Sequence, residues 1–359
     1  MEVFFYQAEC GDSARIRFYD KKGIPRNILI DSGYERTFNF VLKDEIKKII
    51  ESNERLDICV ISHIHDDHIG GLVKYIKIIS SEELIDVIDK WFYNLPRDYE
   101  NIKRNQITIS SPKSISQGDE IYKYINLNRK DHINDLTNHS PLIEFFDFKI
   151  DILSPSQDKL ASLREKYKQT EVLLERIELD SISEAKSIRN HDYSIKIEDF
   201  DLDDWKEDES KENGSSISMI TEYKKNKILW LADSHPSVVV ESLKKRGYTK
   251  NNKLCCDWVK VSHHGSSGNN SNELYELIEC DNYLISANGE NRHKLPTKIC
   301  ITKILLNKNR NSKKKMKFYF TYDNDTLTSI FKVDGEDVFE RYNFEVHYNS
   351  NKFLKIGLK

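Results

Sequence analysis

Val60-Ile61-Ser62-His63-Ile64-His65-Asp66-Asp67-His68-Ile69-Gly70-Gly71-Leu72 sets the terms for the whole chain, because three histidines and two aspartates fall within the six residues His63 to His68. The apolar run Ile58-Cys59-Val60-Ile61 precedes the motif and an amphipathic segment follows it. That order predicts a buried strand emptying through a short loop into a helix. Alternate side chains of an extended backbone share a side, so His63 and His65 project together. Asp67 and His68 come from the helix start and can converge on the same point. Two imidazoles beside a carboxylate–imidazole pair make a ligand set for one or two divalent cations. A polar loop with incidental histidines would account for a lone His, but it is a poor account of H-x-H-x-D-H in this setting.

The chain of 359 residues is long enough for one large or two ordinary domains with a sizeable core. With 38% hydrophobic and 32% charged residues it reads as a polar globular protein. No window approaches the ~18 consecutive apolar residues of a membrane span, and no membrane partner is expected. The start Met1-Glu2-Val3-Phe4-Phe5-Tyr6 lacks the basic, apolar and small-residue regions of a signal peptide. Cys10, Cys59, Cys255, Cys256, Cys280 and Cys300 form no C-x-x-C pair and read as reduced thiols of a cytoplasmic protein. A net charge of −4 neither selects nor excludes a nucleic-acid partner, and the oligomeric state is left open.

Strands are expected over 2–8 and 14–19, separated by the turn Cys10-Gly11-Asp12-Ser13, and a third over 27–33, closing on Asp31-Ser32-Gly33. Helices are expected over 37–52 and 69–79. Short pieces follow to residue 150, including Ile107-Thr108-Ile109, and a strand from Ile143 to Leu153 stops at Pro155. Residues 156–212 read as a charged insertion, helical from Leu160 to Leu179. Glu198 to Glu212 then holds nine acidic residues against Lys206 and Lys211. Such a run is usually a solvated or mobile segment; the sharper reading is an acidic flap that mimics nucleic acid or restricts substrate entry. Beyond it, Ile217 to Ile220 and Ile228 to Leu231 read as adjacent strands, the second ending at Asp233. Val238 to Arg246 reads as a helix. Trp258 to Val261 reads as a strand emptying into Ser262-His263-His264-Gly265-Ser266. A helix over 273–278, a strand over 283–286 and C-terminal strands over 317–322, 328–333 and 344–347 complete the reading. The whole, 1–359, is expected to be one domain, with 300–359 completing its second sheet.

H-x-H-x-D-H followed by strand-end Asp233 and His263 resembles the signature of the metallo-β-lactamase fold superfamily. The resemblance implies an α/β protein: an αββα sandwich of two mixed β-sheets flanked by helices, with the site at one edge of the sheets. It implies metal ligation by His63, His65, Asp67 and His68, with Asp233 bridging two metals. Asp31 matches an acidic residue that supports the metal site from behind the ligands. His263, directly continuing its strand, is expected to complete the ligand shell, with His264 at the mouth as substrate contact or proton donor; the reverse assignment stays open.

Val259-Lys260-Val261-Ser262-His263-His264-Gly265-Ser266, with Leu231-Ala232-Asp233 before it and Asn291-Arg292-His293 after it, resembles one branch more narrowly. This is the branch typified by the metallo-β-lactamase-like domain of the bacterial DNA-uptake protein ComEC. The resemblance covers about residues 2–80 and 213–300 and lacks any channel-forming part, so the chain looks like a free-standing relative. Two departures stand out. Where many superfamily members carry another metal-binding His, this chain has Asn213, as the branch itself tends to, which leaves the His63–His65 position short of a ligand. Downstream, the branch histidine falls on Leu295, and His293 is the substitute two positions away.

The resemblance therefore implies a hydrolase holding one or two divalent ions, zinc or manganese, most directly a phosphodiesterase or nuclease acting on DNA or RNA. Asp67 would orient water, and His264 or His293 would protonate the leaving oxygen. Ser266 and Asn291 would contact substrate. Lys308 to Lys317 reads as a solvated turn or a phosphate-backbone contact. The competing readings are hydrolysis of a small phosphoester, cyclic nucleotide, thioester or lactam, and a metal-binding sensor or scaffold with weak catalysis, for instance in phage defence.

Overall fold

The computed structural model describes residues 1–96, 113–174 and 190–358. Six strands come first: β1 (Glu2–Tyr6), β2 (Ala14–Tyr19), β3 (Pro25–Ile30), β4 (Leu56–Ile61), β5 (Ile88–Tyr93) and β6 (Asp131–Ile133). Next are β7 (Ile143–Phe145), β8 (Phe148–Ser154), β9 (Ser218–Tyr223), β10 (Asn226–Trp230), β11 (Leu254–Cys255) and β12 (Trp258–Lys260). The chain ends with β13 (Ile278–Glu279), β14 (Asn282–Ile285), β15 (Met316–Phe320), β16 (Phe344–Tyr348) and β17 (Phe353–Gly357).

One sheet has the order β17-β1-β2-β3-β4-β5-β6 and the other β16-β15-β14-β12-β10-β9-β8-β7, with β11 and β13 paired apart from both. Each is mixed. In the first sheet β3 to β6 run parallel while β17, β1, β2 and β3 alternate. In the second, β10, β12, β14, β15 and β16 run parallel and β7 to β10 alternate.

The period-2 patterning of the strands explains the layers. Ile28, Ile58 and Val60 of the first sheet meet Ile150, Met219, Ile228 and Leu284 of the second in a core between the sheets. The intervening Leu29, Cys59 and Ile61 face outward onto Phe38, Ile46, Ile69, Leu72 and Ile121 from the helical layer. On the far side Leu229, Val259 and Ile285 are covered by Val239, Leu243, Ile301 and Ile304. This is the αββα sandwich of two mixed sheets flanked by helices. β4, covered on both faces, is buried at every residue, which is why its sequence is apolar apart from Asp57, whose carboxylate accepts from Asn27 N and pairs with Arg26.

Several elements depart from the sequence reading. Ile143 to Leu153 is a hairpin rather than one strand, turning at Phe146 with φ 54°. Thr328 to Val333 is not a strand: a helix over Asp325–Thr328 and a 3-10 turn over Lys332–Asp334 occupy the region. β15 and β16 extend the second sheet, but β17 crosses to pair with β1 in the first. The strand-like Ile107-Thr108-Ile109 and residues 175–179 of the expected helix lie outside the described residues.

The acidic stretch folds as an irregular strap with definite partners. Trp205 Nε1 donates to the Ser267 carbonyl at 2.7 Å, Asp208 N donates to the Gly268 carbonyl at 3.1 Å, and Glu207 accepts from Ser237 N and Oγ at 2.8 and 2.9 Å. Charge density alone suggested a solvated run. The interleaved Trp205 and the acceptor capacity of the carboxylates anchor it instead.

Candidate metal centre

Asp67 and His68 open the helix Asp66–Ser80, and the other residues of the group lie just beyond the C-terminal ends of strands. Asp31 follows β3, Ser62 and His63 follow β4, Asp233 follows β10, and His263 and His264 follow β12. Asp31, Ala232, His263 and His264 adopt φ of 54°, 45°, 45° and 55°, a region that non-glycine residues rarely occupy and that tends to mark functional sites. Gly11 and Gly71 allow the close approach of the loops. A Cβ on Gly11 would lie 2.3 Å from the Asp67 carbonyl, and one on Gly71 2.3 Å from the Ser32 carbonyl.

Ligand-type atoms gather into three adjoining groups among the described residues: Asp67, His68, Asp233 and His264; His63, His65 and Asp233; and Asp12, Asp31 and His68. His68 Nε2 lies 3.8 Å from Asp67 Oδ2 and 3.5 Å from Asp233 Oδ1. His264 Nε2 lies 3.3 Å from Asp67 Oδ2 and 3.8 Å from Asp233 Oδ1. His63 Nε2 is 3.1 Å from His65 Nδ1 and 3.7 Å from Asp233 Oδ2.

Hydrogen bonds from behind decide which ring nitrogens face this centre. Asp31 Oδ2 sits 2.8 Å from His68 Nδ1 and accepts from Ser62 Oγ at 2.6 Å. The Ser286 carbonyl is 3.0 Å from His264 Nδ1, with Asp12 Oδ1 3.4 Å from the same nitrogen. Asp12 in turn pairs with the buried Lys260 ammonium. Both rings therefore present Nε2 forward.

Burial lowers the pKa of His63 and His65, keeping them neutral with lone pairs available. Burial pushes His68 the same way, but Asp233, Asp31 and Asp67 outweigh it and raise its pKa well above the ordinary value. For His264 burial is likewise overcome, here by Asp12 and Asp233, and the pKa rises to about 9. Asp67 and Asp233 resist burial through the facing histidines and stay below the usual carboxylate range. The centre thus carries an excess of negative charge that calls for protons or a cation.

The fit to a metal can be tested on the atoms themselves. His68 Nε2, His264 Nε2 and both Asp233 carboxylate oxygens are buried and find no hydrogen-bond partner among the described residues. Leaving one such group unsatisfied costs ~1–3 kcal/mol; four together, aimed at one place, fit a cation. Imidazole and carboxylate donors suit zinc or manganese.

The structure brings His63, His65, Asp67, His68 and Asp233 together, with Asp31 behind them. It puts His264, rather than His263, in the group with Asp67 and His68. It does not bring in His293, which is exposed in a loop and accepts from Arg292 Nε at 2.8 Å. Asn291 is occupied with that loop: its Nδ2 donates to the Leu295 carbonyl at 2.6 Å, and its Oδ1 accepts from His293 N and Leu295 N. Leu295 itself is buried. Ser266 is half-buried beside the tandem histidines and donates its N–H to the His263 carbonyl at 2.8 Å. The sequence reading assigned no role to Asp12, Lys260, Ser62 or Asn269, whose partners lie far off in the chain or, for Ser62, depend on the fold placing Asp31 beside it.

Comparison with known proteins places the motif. A model of the metallo-beta-lactamase superfamily matches residues 26–88. That span runs from β3 through the helix after the histidine motif. No curated protein matches the chain. Among solved structures, the metallo-beta-lactamase fold protein YhfI from Bacillus subtilis is similar over 99% of this chain and 99% of its own, at 10% identity and TM-score 0.43. Zn(2+)-bound PqqB from Methylobacterium extorquens is similar over 100% of both chains, at 9% identity and TM-score 0.41. A long form RNase Z from yeast is similar over 89% of this chain and 36% of its own, at 10% identity and TM-score 0.34.

Proposed function

We propose that the chain is a divalent-metal-dependent hydrolase whose substrate is a phosphodiester. The observation that carries this is the convergence of His68 Nε2, His264 Nε2 and both Asp233 oxygens, buried and unpartnered among the described residues. His63, His65, Asp67, His68, Asp233 and His264 would hold the ions, with Asp31 and Asp12 fixing His68 and His264 from behind. Divalent ions held there would bring the pKa of a water down towards ~7 and offset charge on a scissile phosphate. Asp67 keeps 19% of its side chain exposed and can accept a hydrogen bond from an attacking water. Ser266, half-buried on the tandem-histidine loop, would contact a phosphate oxygen.

Charge placement favours a short phosphodiester over a long polynucleotide. β10, β12, β14 and β15 run parallel, so the lysine-rich stretch before β15 lies at the opposite end of the sheet from Asp233 and His263. Three of its lysines are already paired: Lys314 with Glu279, and Lys315 and Lys317 with Glu345. The segment that does border the site is the acidic strap, with Asp201, Asp203, Asp204 and Glu209 exposed. The ComEC-like resemblance supports DNA or RNA as the second reading.

The test is turnover of bis(4-nitrophenyl) phosphate, cyclic dinucleotides and single-stranded DNA by the zinc- or manganese-loaded chain. Asp67→Ala and His68→Ala are expected to lower kcat/KM by about 10²-fold or more. Undiminished turnover in both would remove the proposal. Steep loss of binding with salt would favour the polynucleotide; a shallow dependence supports the short substrate.

A further inference from the structure

An ester that leaves as an alkoxide needs a proton at its departing oxygen, and the site described above has no side chain in that role. His264 is grouped with Asp67, His68 and Asp233, and His293 is exposed in its loop. The turn Glu9-Cys10-Gly11 is the place to look, because it packs directly on Asp67. A Cβ on Gly11 would lie 2.3 Å from the Asp67 carbonyl and 3.1 Å from the Asp67 Cβ, and Asp12 N donates to that carbonyl at 3.1 Å. Tyr34 and Tyr322 touch this turn through their hydroxyls, and Tyr193 stands near Cys10.

The three hydroxyls differ in what they already hold. Tyr193 Oη donates to the Pro296 carbonyl at 2.8 Å, so its proton is in use. Tyr322 Oη accepts from Glu9 N at 2.7 Å, on the side of the turn away from Gly11. Tyr34 Oη reaches the Cys10 carbonyl only at 3.5 Å, and its ring is half-buried and open to solvent. Its backbone rests on Gly70, where a Cβ would lie 3.0 Å from the Tyr34 carbonyl carbon. Gly70 is three residues after Asp67 in the helix Asp66–Ser80, and residues so spaced share a helix face. The ring therefore runs from Gly70 to Cys10, two neighbours of Asp67, and lies alongside it. The geometry points to Tyr34 as the residue that hands a proton to the leaving oxygen. The inference rests on the phosphodiester reading above and deepens it, since it selects esters whose leaving group is a poor one.

The step balances without a further reactant. A water oxygen bonds to phosphorus, the ester P–O bond breaks, and the departing oxygen takes the Tyr34 proton. The phenolate regains a proton from solvent, which has received the one lost by the attacking water. Burial first, and then the charge of Asp67, raise the pKa of Tyr34, so the phenol keeps its proton at neutral pH. The Arg36 guanidinium, paired with Glu9, lies 5.3 Å over the ring and offsets charge that gathers there. A nitrophenolate departs without a proton, whereas a sugar alkoxide does not, so the hydroxyl matters for the second and little for the first.

The experiment compares two esters on the full, metal-loaded chain: the 4-nitrophenyl ester of thymidine 5′-phosphate and the dithymidine dinucleotide. Tyr34→Phe and Tyr34→Leu both remove the hydroxyl. Each is expected to lower kcat on the dinucleotide by about 10²-fold, with KM, metal content and turnover of the nitrophenyl ester close to wild type. Tyr322→Phe is expected to keep the wild-type ratio of the two rates. An equal loss on both esters, an undiminished rate on the dinucleotide, or the same selective loss in Tyr322→Phe would overturn the inference and leave the hydrolase standing. A wild type that cleaves the nitrophenyl ester but not the dinucleotide would overturn it as well, and one that cleaves neither would take the proposed function with it.

Discussion

Asp31 settles which nitrogen His68 turns towards the centre. Its carboxylate is 1% exposed and sits 2.8 Å from Nδ1, which leaves Nε2 to face Asp67 and Asp233. Removing such a support typically costs ~10–100-fold in metal affinity, and Asp31→Ala is expected to fall in that range by competition with a chromogenic chelator. Unchanged affinity would mean that the ring is held by packing alone. Asp12 and Lys260 form a buried ion pair behind His264. Lys260→Met leaves Asp12 buried without its cation and is expected to destabilise the fold by ~3–5 kcal/mol, read from urea unfolding. At this scale the sequence disclosed the histidine motif because five ligand-type residues stand within one turn of chain. It did not disclose Asp12, Ser62 or Asn269, single polar residues brought in by folding. Nor did it separate His263 from His264, because that division depends on two successive left-handed residues.

The elements that build the site were legible wherever burial dictates composition. β4 is apolar from Ile58 to Ile61 because both faces are covered, and the alternation in β3 and β10 gives the layer each side chain enters. Short amphipathic pieces were harder. Thr328 to Val333 has strand-like composition, yet Leu327, Ile330 and Phe331 are buried from a helix and turn. Close packing between the helix Asp66–Ser80 and the loop after β3 yields a prediction at this scale. Gly71→Ala gains helix propensity of ~1 kcal/mol but sets a Cβ 2.3 Å from the Ser32 carbonyl and 2.9 Å from its Cβ. The clash lies against backbone, so the variant is expected to lose stability by ~1–3 kcal/mol in urea unfolding and to weaken metal binding. Higher stability with intact binding would show that the loops can separate. The acidic strap gives another: Asp203→Asn with Asp204→Asn should raise turnover of single-stranded DNA while leaving bis(4-nitrophenyl) phosphate hydrolysis unchanged. An equal change on both substrates would deny the strap a part in selection.

For the whole molecule, two sheets with opposite outer faces covered by helices bring strand ends from both halves of the chain to one edge. Among the described residues no helix is long and apolar enough to cross a membrane. Because the proposed ligands follow β4, β10 and β12 or open the helix after β4, metal binding should stabilise the fold as a unit. Free zinc at ~100 times its Kd adds ~2.7 kcal/mol per ion by mass action, seen as a raised melting temperature that a chelator reverses. The decisive measurement is anomalous scattering from crystals grown with zinc or manganese. The account predicts peaks on the two sides of Asp233, one within reach of His63 and His65 and one within reach of Asp67, His68 and His264. An ordered Asp233 with no peak beside it in fully loaded crystals, or ions bound only elsewhere on the surface, would contradict it.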